Sequence, residues 1–317
     1  MLQQLLLITQ LHRSGGTLLS QLLDGHSGIK AHPHELFIGK PNKWDWPLLK
    51  IGLSSADEVF SALQEDKIAN IGEQGKFIKP GSNQAASDQS VPFHYSLDQH
   101  REAFKVLYQR APAMSQRLAI QLYLSSFFSA WSEFKSSGRE RYVSCFLPHI
   151  LIHPESTQRL FHDFPDLLLV SLLRRPDTWI ASLVNHMSLD LSKTRKAANH
   201  LERWKLSVKT IVALHTNPVM HTFATSYEAL VTHTDTEMRR LCNAAGLCFE
   251  SVLLTPTVGG FPVLPNSSYT RTETGVNQDS LQLRKPLPEP VQELITQKYL
   301  PVYEQSVAAL GITAIKN

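Results

Sequence analysis

Apolar residues recur in two rhythms, and each rhythm predicts an element. Leu5 to Thr9 is a short β-friendly run that reads as a buried strand. The polar, glycine-bearing stretch Leu11-His12-Arg13-Ser14-Gly15-Gly16-Thr17 follows as a loop. Leu18, Leu19, Leu22 and Leu23 then fall one and four residues apart before Gly25, which predicts a helix closed by glycine. Strand, turn and helix in this order make the first half of a βαβ unit. Tyr142 to Leu147 predicts a second strand, stopped by Pro148. Leu167 to Leu173 is nearly continuous in apolar residues, as expected for a parallel strand covered on both faces. Arg174-Arg175-Pro176-Asp177 reads as a turn. Ile180, Leu183, Val184 and Met187 then mark one face of a helix at i, i+3, i+4 and i+7. His221 to Thr225 reads as a further strand, Thr236 to Ala245 as a helix closed by Gly246, and residues 289–309 as helical with a break at Pro301.

The stretch between the first helix and Tyr142 is mixed. Ser54-Ser55-Ala56-Asp57-Glu58 has the composition of a capped helix start running to Leu63, and Arg117 to Phe134 predicts an amphipathic helix. Gly75 to Pro92, rich in Gly, Ser, Gln and Pro, reads as a long loop. These elements add up to a three-layer α/β fold. It has a central, mainly parallel sheet, a P-loop-like phosphate-binding turn after the first strand, and a helical insertion at 38–140. No repeat or linker divides the chain, so one domain is expected over residues 1–317.

Composition narrows the function classes. With 42% hydrophobic and 19% charged residues among 317, disordered and fibrous classes are excluded. The 31 basic and 28 acidic residues leave a net charge of +3, too weak and scattered for a nucleic-acid partner. No apolar run is long enough to span a bilayer, and the N-terminal segment lacks the basic region and cleavage site of a signal peptide. Cys145, Cys242 and Cys248 are too few for a disulfide framework. A cytoplasmic location is expected.

Two constellations carry chemistry. In Arg13-Ser14-Gly15-Gly16-Thr17, glycines let backbone N–H groups turn inward at a helix N-terminus, which carries about half a positive charge. Ser14 and Thr17 add hydroxyls, and Arg13 adds a fork that suits an anionic oxygen. Together they form a phosphate cradle, the alternative being a tight turn without a ligand. The motif G-x-x-x-x-G-K-[ST] is absent throughout. The second constellation is Arg174 with Ser182, eight residues apart across the carboxyl end of the strongest strand, where open α/β sheets bind ligands. A guanidinium and a hydroxyl there can clamp a second phosphate, or Arg174 to Asp177 can be a plain turn with surface charge.

Taken together and in order, the two resemble the signature of sulfotransferases that use 3′-phosphoadenosine-5′-phosphosulfate (PAPS). That family carries a Lys/Arg-Ser-Gly-Thr-Thr loop after its first strand, which grips the 5′-phosphosulfate. A later strand ends in Arg with Ser eight positions on, and these grip the 3′-phosphate. Arg13, Ser14, Gly15, Gly16 and Thr17 match the first, and Arg174 and Ser182 the second. Ser226-Tyr227-Glu228-Ala229-Leu230 is similar to the family's Tyr-Glu-Asp-Leu segment, which implies that Tyr227 lies near the adenine. The resemblance covers roughly residues 5–37 and 140–250. It implies PAPS as co-substrate, no metal requirement, and a small-molecule or glycan acceptor, with a lipid head group equally open. Arg13 would serve as an electrostatic stabiliser, since its guanidinium stays protonated.

The chain also departs from the pattern. Gly16 stands where many members have Thr, losing one hydroxyl. In Ser144-Cys145-Phe146-Leu147-Pro148, Phe146 takes the place of the catalytic His of the family's Lys-Thr-His-Leu-Pro segment. Other branches place a Glu shortly after the first helix. His32-Pro33-His34-Glu35 occupies that region and makes Glu35 the first candidate base and His34 the second. A local structural role for Glu35 remains open, as does a loop role for His149 and His153. Trp44-Asp45-Trp46, with Pro41 and Pro47, reads either as an acceptor pocket or as core. Arg271 and Arg284 are the candidates for a late basic loop over the 3′-phosphate. The competing readings are a P-loop kinase-like phosphotransferase using ATP and a non-catalytic nucleotide-binding protein of the same fold.

Overall fold

A computed structural model describes residues 2–39, 42, 44–77, 90–187, 194–264, 274–282 and 286–312. The strands are β1 (Gln4–Ile8), β2 (Ile29–Glu35), β3 (Lys76–Phe77), β4 (Val91–Pro92), β5 (Tyr142–Phe146), β6 (Leu168–Leu173), β7 (Thr222–Ser226), β8 (Thr257–Val258) and β9 (Phe261–Pro262). The helices of the first half are α1 (Gly16–Leu23), α2 (Ala56–Leu63), α3 (Asp66–Glu73), α4 (Leu97–Arg110) and α5 (Gln116–Ser129). Those of the second are α6 (Pro154–Asp163), α7 (Pro176–Met187), α8 (Thr194–His215), α9 (Tyr227–Thr232), α10 (Thr234–Ala245), α11 (Glu289–Leu294) and α12 (Leu300–Ala309).

Five strands form one sheet in the order β2-β5-β1-β6-β7, with every neighbouring pair parallel. The first strand is therefore central, and the sheet grows from it in both directions. That reversal opens a crevice at the carboxyl end of β1, between β5 and β6, where ligands of open α/β sheets bind. Period-two alternation explains the layers. Leu5, Leu7, Val143, Cys145 and Leu169 point into the larger core, whereas Leu6, Ile8, Tyr142, Phe146 and Val170 point into the smaller one beside α1 and α10.

The insertion builds its own aromatic core from Phe60, Phe93, Tyr95, Phe104, Tyr123, Phe127 and Trp131. Helix α2 begins on a complete capping box made by Ser55 and Glu58. Helix α5 corrects the amphipathic helix expected at 117–134. It ends at Ser129, and Ala119, Ile120, Leu122, Tyr123, Leu124, Phe127 and Phe128 bury most of its circumference. The chain leaves the helix there because residues 130 and 132 bond segment 94–96 instead, through Ser96 N–H to the Ala130 carbonyl and Ser132 N–H to that of His94. Within the loop expected at 75–92, β3 and β4 pair antiparallel, and residues 78–89 lie outside the described residues. The expected break at Pro301 takes the form of a wide π-type turn over Ile295–Tyr299. Proline lacks an N–H and crowds the carbonyl four residues back, and the widened turn absorbs both without ending the helix.

Candidate functional site

The loop from β1 to α1 closes on two left-handed residues, Arg13 (φ 66°) and Gly15 (φ 97°). At Gly15, a Cβ would stand 2.4 Å from the Tyr227 ring, so glycine permits both the turn and the close approach. At Gly16, a Cβ would stand 1.9 Å from the Gln10 side-chain amide and 2.5 Å from the Phe146 ring. The two departures noted in the sequence thus touch one another: Phe146 fills the space a larger residue at 16 would need. Gln10 reaches the Gly16 N–H, one of the donors expected to face a phosphate. With its oxygen toward α1, the Gln10 amide accepts from Gly16 N at 3.0 Å and donates to the Thr9 carbonyl at 3.0 Å.

The second constellation locks into the first. Arg174, only 6% exposed, donates from Nη1 to the Arg13 carbonyl (2.7 Å) and from Nε to Thr178 Oγ1 (3.2 Å). Its guanidinium lies over the Tyr227 ring at 4.3 Å. Arg13 in turn donates from Nε to Ser182 Oγ at 3.1 Å. Arg13, Gly15, Arg174, Ser182 and Tyr227 therefore form one cluster, with buried Ser14 and half-buried Thr17 on the same loop. Two tryptophans fasten it from below: Trp179 Nε1 donates to the His12 carbonyl (2.9 Å) and Trp204 Nε1 to the Arg174 carbonyl (3.1 Å). Buried Glu228 accepts from the Arg175 N–H (3.1 Å), Thr178 Oγ1 (3.3 Å) and Tyr303 Oη (3.0 Å). Burial raises its carboxyl pKa, against the pull of the Arg175 N–H and the Arg174 charge.

The remaining candidates divide. Glu35 is half-buried at the end of β2, opposite Phe146 in the β2–β5 ladder. His34 is buried, with Nδ1 3.1 Å from the Glu35 carbonyl. His32 belongs to a buried pair with Glu65 at 3.1 Å, and the other Glu65 oxygen accepts from the Phe37 N–H (2.7 Å). Burial works to lower the pKa of His32, but the Glu65 carboxylate outweighs it and raises it. The tryptophan segment splits as well. Trp44 packs on His149 at 4.5 Å beside the site. Trp46 is core: it is buried, crosses Phe164 edge-on, and donates to Asp163 Oδ2 at 2.7 Å. Pro41, Arg271 and Arg284 lie outside the described residues.

Sequence reasoning gave no role to Gln10, His12, Thr178, Trp179, Trp204 or Glu228. Glu228 stood inside the Tyr-Glu segment and His12 directly before Arg13, so position was a usable signal for both. His12 Nδ1 lies 2.8 Å from His149 Nε2. Burial first, then the charges of Arg13, His186, Arg203 and His200, lower the pKa of His12 to about 4.

The sequence profile of the sulfotransferase family matches residues 6–251. The chain belongs to the sulfotransferase family. No curated protein matches it significantly. Among solved structures, it is similar to the sulfotransferase domain from the curacin biosynthetic pathway, with 16% identity and a TM-score of 0.52 over 94% of this chain and 97% of that one. It also aligns with the sulfotransferase domain of the Synechococcus PCC 7002 olefin synthase, at 16% identity and a TM-score of 0.47 over 99% and 96%. A sulfotransferase from Alicyclobacillus acidocaldarius aligns at 13% identity and a TM-score of 0.47 over 98% and 97%. The first likeness concerns the fold: a central parallel sheet flanked by helices. Among the described residues, this sulfotransferase has no helix long and apolar enough to cross a membrane, and no group of three or more His, Cys, Asp or Glu arranged to hold a metal ion.

Proposed function

We propose that this sulfotransferase moves a sulfuryl group from PAPS to a hydroxyl or amine of an acceptor that is a glycan, a lipid or a small metabolite. The observation that carries this reading is the interlock of Arg174, Arg13 and Ser182 at the carboxyl edge of β1 and β6. The residues fit a doubly phosphorylated nucleotide. A buried Arg174 guanidinium, the Arg13 guanidinium beside it and a His12 whose pKa is lowered by burial and then by neighbouring positive charge make a site that favours negative charge. Arg13, Ser14, Gly15 and Thr17 would hold the 5′ end, Arg174 and Ser182 the 3′-phosphate, and Tyr227 the adenine side. Gly16 would contribute a close backbone approach, its N–H being engaged by Gln10. PAPS supplies an activated sulfuryl group. The chain's part is to place positive charge where negative charge builds on the departing phosphate, a role for preorganised Arg13. Glu35 and His34 are the sequence's candidates for the base.

Titration calorimetry with adenosine 3′,5′-bisphosphate, beside ATP with Mg²⁺ and adenosine 5′-phosphate, tests the reading. Binding of the bisphosphate, weakened by Arg174→Ala, is expected. A preference for ATP would favour the phosphotransferase, and no binding at all would overturn the site. Bisphosphate release from PAPS with a panel of alcohols, phenols and amines then separates an enzyme from a nucleotide-binding protein of the same fold.

A further inference from the structure

The histidine pair stands one residue from Arg13 and brings together two loops of the sheet edge. His12 comes from the β1–α1 loop and His149 from the loop after β5, with ring centroids 4.6 Å apart. Each ring is held in place. His149 packs on Trp44, adopts a left-handed backbone (φ 71°), and donates its N–H to the Gln10 carbonyl at 3.1 Å. His12 is fixed through its carbonyl by the Trp179 indole, with the two rings 6.4 Å apart. His149 is buried and His12 half-buried. Among the described residues no hydrogen bond reaches His12 Nε2.

Two neutral imidazoles joined in this way share one proton, and the tautomer of each is set by the other. With that proton on His12 Nδ1, directed at His149 Nε2, the lone pair of His12 Nε2 is left available. On the sulfuryl-transfer reading above, we propose that His12 Nε2 takes the proton of the acceptor hydroxyl or amine, and that His149 is the positioning residue that fixes its tautomer. As the acceptor oxygen or nitrogen bonds to sulfur, its proton passes to Nε2. The electron pair of the breaking S–O bond leaves on the 5′-phosphate oxygen. The resulting imidazolium donates through Nδ1–H to His149 and later releases its proton to solvent.

Topology favours this base over Glu35. The order β2-β5-β1 sets Glu35 two strand spacings from the strand that ends in the Arg13 loop, about 10 Å. His12 lies on that loop. The charged and titratable groups facing His12 are Arg13 on its own loop, His186 on α7, and His200 and Arg203 on α8, with His149 against its ring. Burial first, and then the arginine charges, keep it unprotonated at neutral pH, so it is ready to accept. An anionic nucleotide beside Arg13 offsets the charges of Arg13 and Arg203 and moves the basicity of His12 upward, toward the working pH where a general base is most effective.

Nitrogen-15 NMR of histidine-labelled protein, with and without saturating adenosine 3′,5′-bisphosphate, reads tautomer and protonation directly, His12→Gln supplying the assignment. The expected result is a neutral His12 with its proton on Nδ1, acid titration that moves up when bisphosphate binds, and loss of the tautomer preference in His149→Gln. In turnover, measured as bisphosphate release from PAPS, His12→Gln is expected to lose roughly 100- to 10,000-fold in kcat, more than Glu35→Gln. A His12 protonated on Nε2 in the bound state, or greater loss in Glu35→Gln than in His12→Gln, overturns the assignment while leaving the nucleotide site standing. Absence of bisphosphate binding by calorimetry overturns the nucleotide reading, and this assignment with it.

Discussion

Replacing Gly16 with alanine asks whether the two departures at 16 and 146 are a single steric fact. The backbone at Gly16 is the first turn of a helix and lies outside the left-handed region, so alanine meets no conformational obstacle and gains up to about 1 kcal/mol of helix propensity. Its Cβ, however, would stand 2.5 Å from Cε2 and Cζ of Phe146 and 1.9 Å from the Gln10 amide. Gln10 is the far end of a flexible side chain and can swing away, at the cost of its bond to Gly16. Phe146 is a ring 4% exposed, packed in the smaller core, and it cannot. Overpacking of this kind costs about 1–3 kcal/mol, so a net loss of about 1–2 kcal/mol is expected for Gly16→Ala.

Phe146→Ala alone should cost about 3–5 kcal/mol through its cavity. The double variant should fall short of the sum by at least about 1 kcal/mol, because alanine at 16 then occupies vacated space. Urea unfolding followed by tryptophan fluorescence, with constant m across the four proteins, measures the cycle. Additivity within about 0.5 kcal/mol would refute the steric link and leave the glycine to be explained by close approach of a ligand.

Arg174→Ala removes a buried guanidinium bonded to the Arg13 carbonyl and Thr178; at about 1.5–3 kcal/mol for a charge-assisted bond, bisphosphate affinity by calorimetry should fall roughly 10- to 100-fold. Arg174→Lys should recover only part of it, since an ammonium cannot reproduce the fork or its stacking on Tyr227. Trp46→Phe deletes the N–H that Asp163 accepts and should cost about 1–3 kcal/mol in urea without changing bisphosphate affinity; a selective loss of binding would return Trp46 to the site. His100 sits buried between Tyr95 Oη (2.6 Å) and the Tyr123 carbonyl (2.8 Å), and burial lowers its pKa from 6.5 to about 3. Below 6.5 the unfolded chain binds a proton that the folded one refuses, so this stability is present above 6.5 and lost as pH falls toward about 3. His100→Gln should flatten the fall of Tm between pH 6.5 and 4.5, where the carboxylates still contribute little, and an unchanged slope would refute the assignment.

Legibility in the sequence tracked how local each cause was. β1, β5 and β6 read clearly because strands covered on both faces become unbroken apolar runs, and α7 because Ile180 and Leu183 of its stripe are buried, although Met187 at its end is exposed. Helix α4 carried no signal: of its 14 residues only His100 and Phe104 are buried, too few to set a period. Helix α5 misled for the opposite reason, since burial on most sides erases the polar face that marks a helix end. At the site, Arg13, Ser14, Arg174 and Ser182 were legible through short spacings around strand ends. The bonds of His12 to His149, Trp204 to Arg174 and Glu228 to the β6–α7 junction join residues far apart in sequence. Sheet order brings them together, and no spacing along the chain encodes that.

The same sheet order explains why the site is charged before any ligand arrives. Placing β1 between β5 and β6 forces the Arg13 loop against the end of β6, so its carbonyl becomes the acceptor that lets Arg174 be buried. A buried guanidinium is destabilising by several kcal/mol unless its charge is met. Here the hydrogen bonds are supplied by a carbonyl and a hydroxyl, the ring face of Tyr227 contributes some attraction, and Glu228 is the carboxylate at hand. That carboxylate is shared among three donors, and its own pKa is raised by burial. Arg13, half-buried, donates to the neutral hydroxyl of Ser182 beside it. The fold thus gathers two guanidinium groups at the carboxyl edge of β1 and β6, each tied to the other's loop or helix by hydrogen bonds that the strand order makes possible.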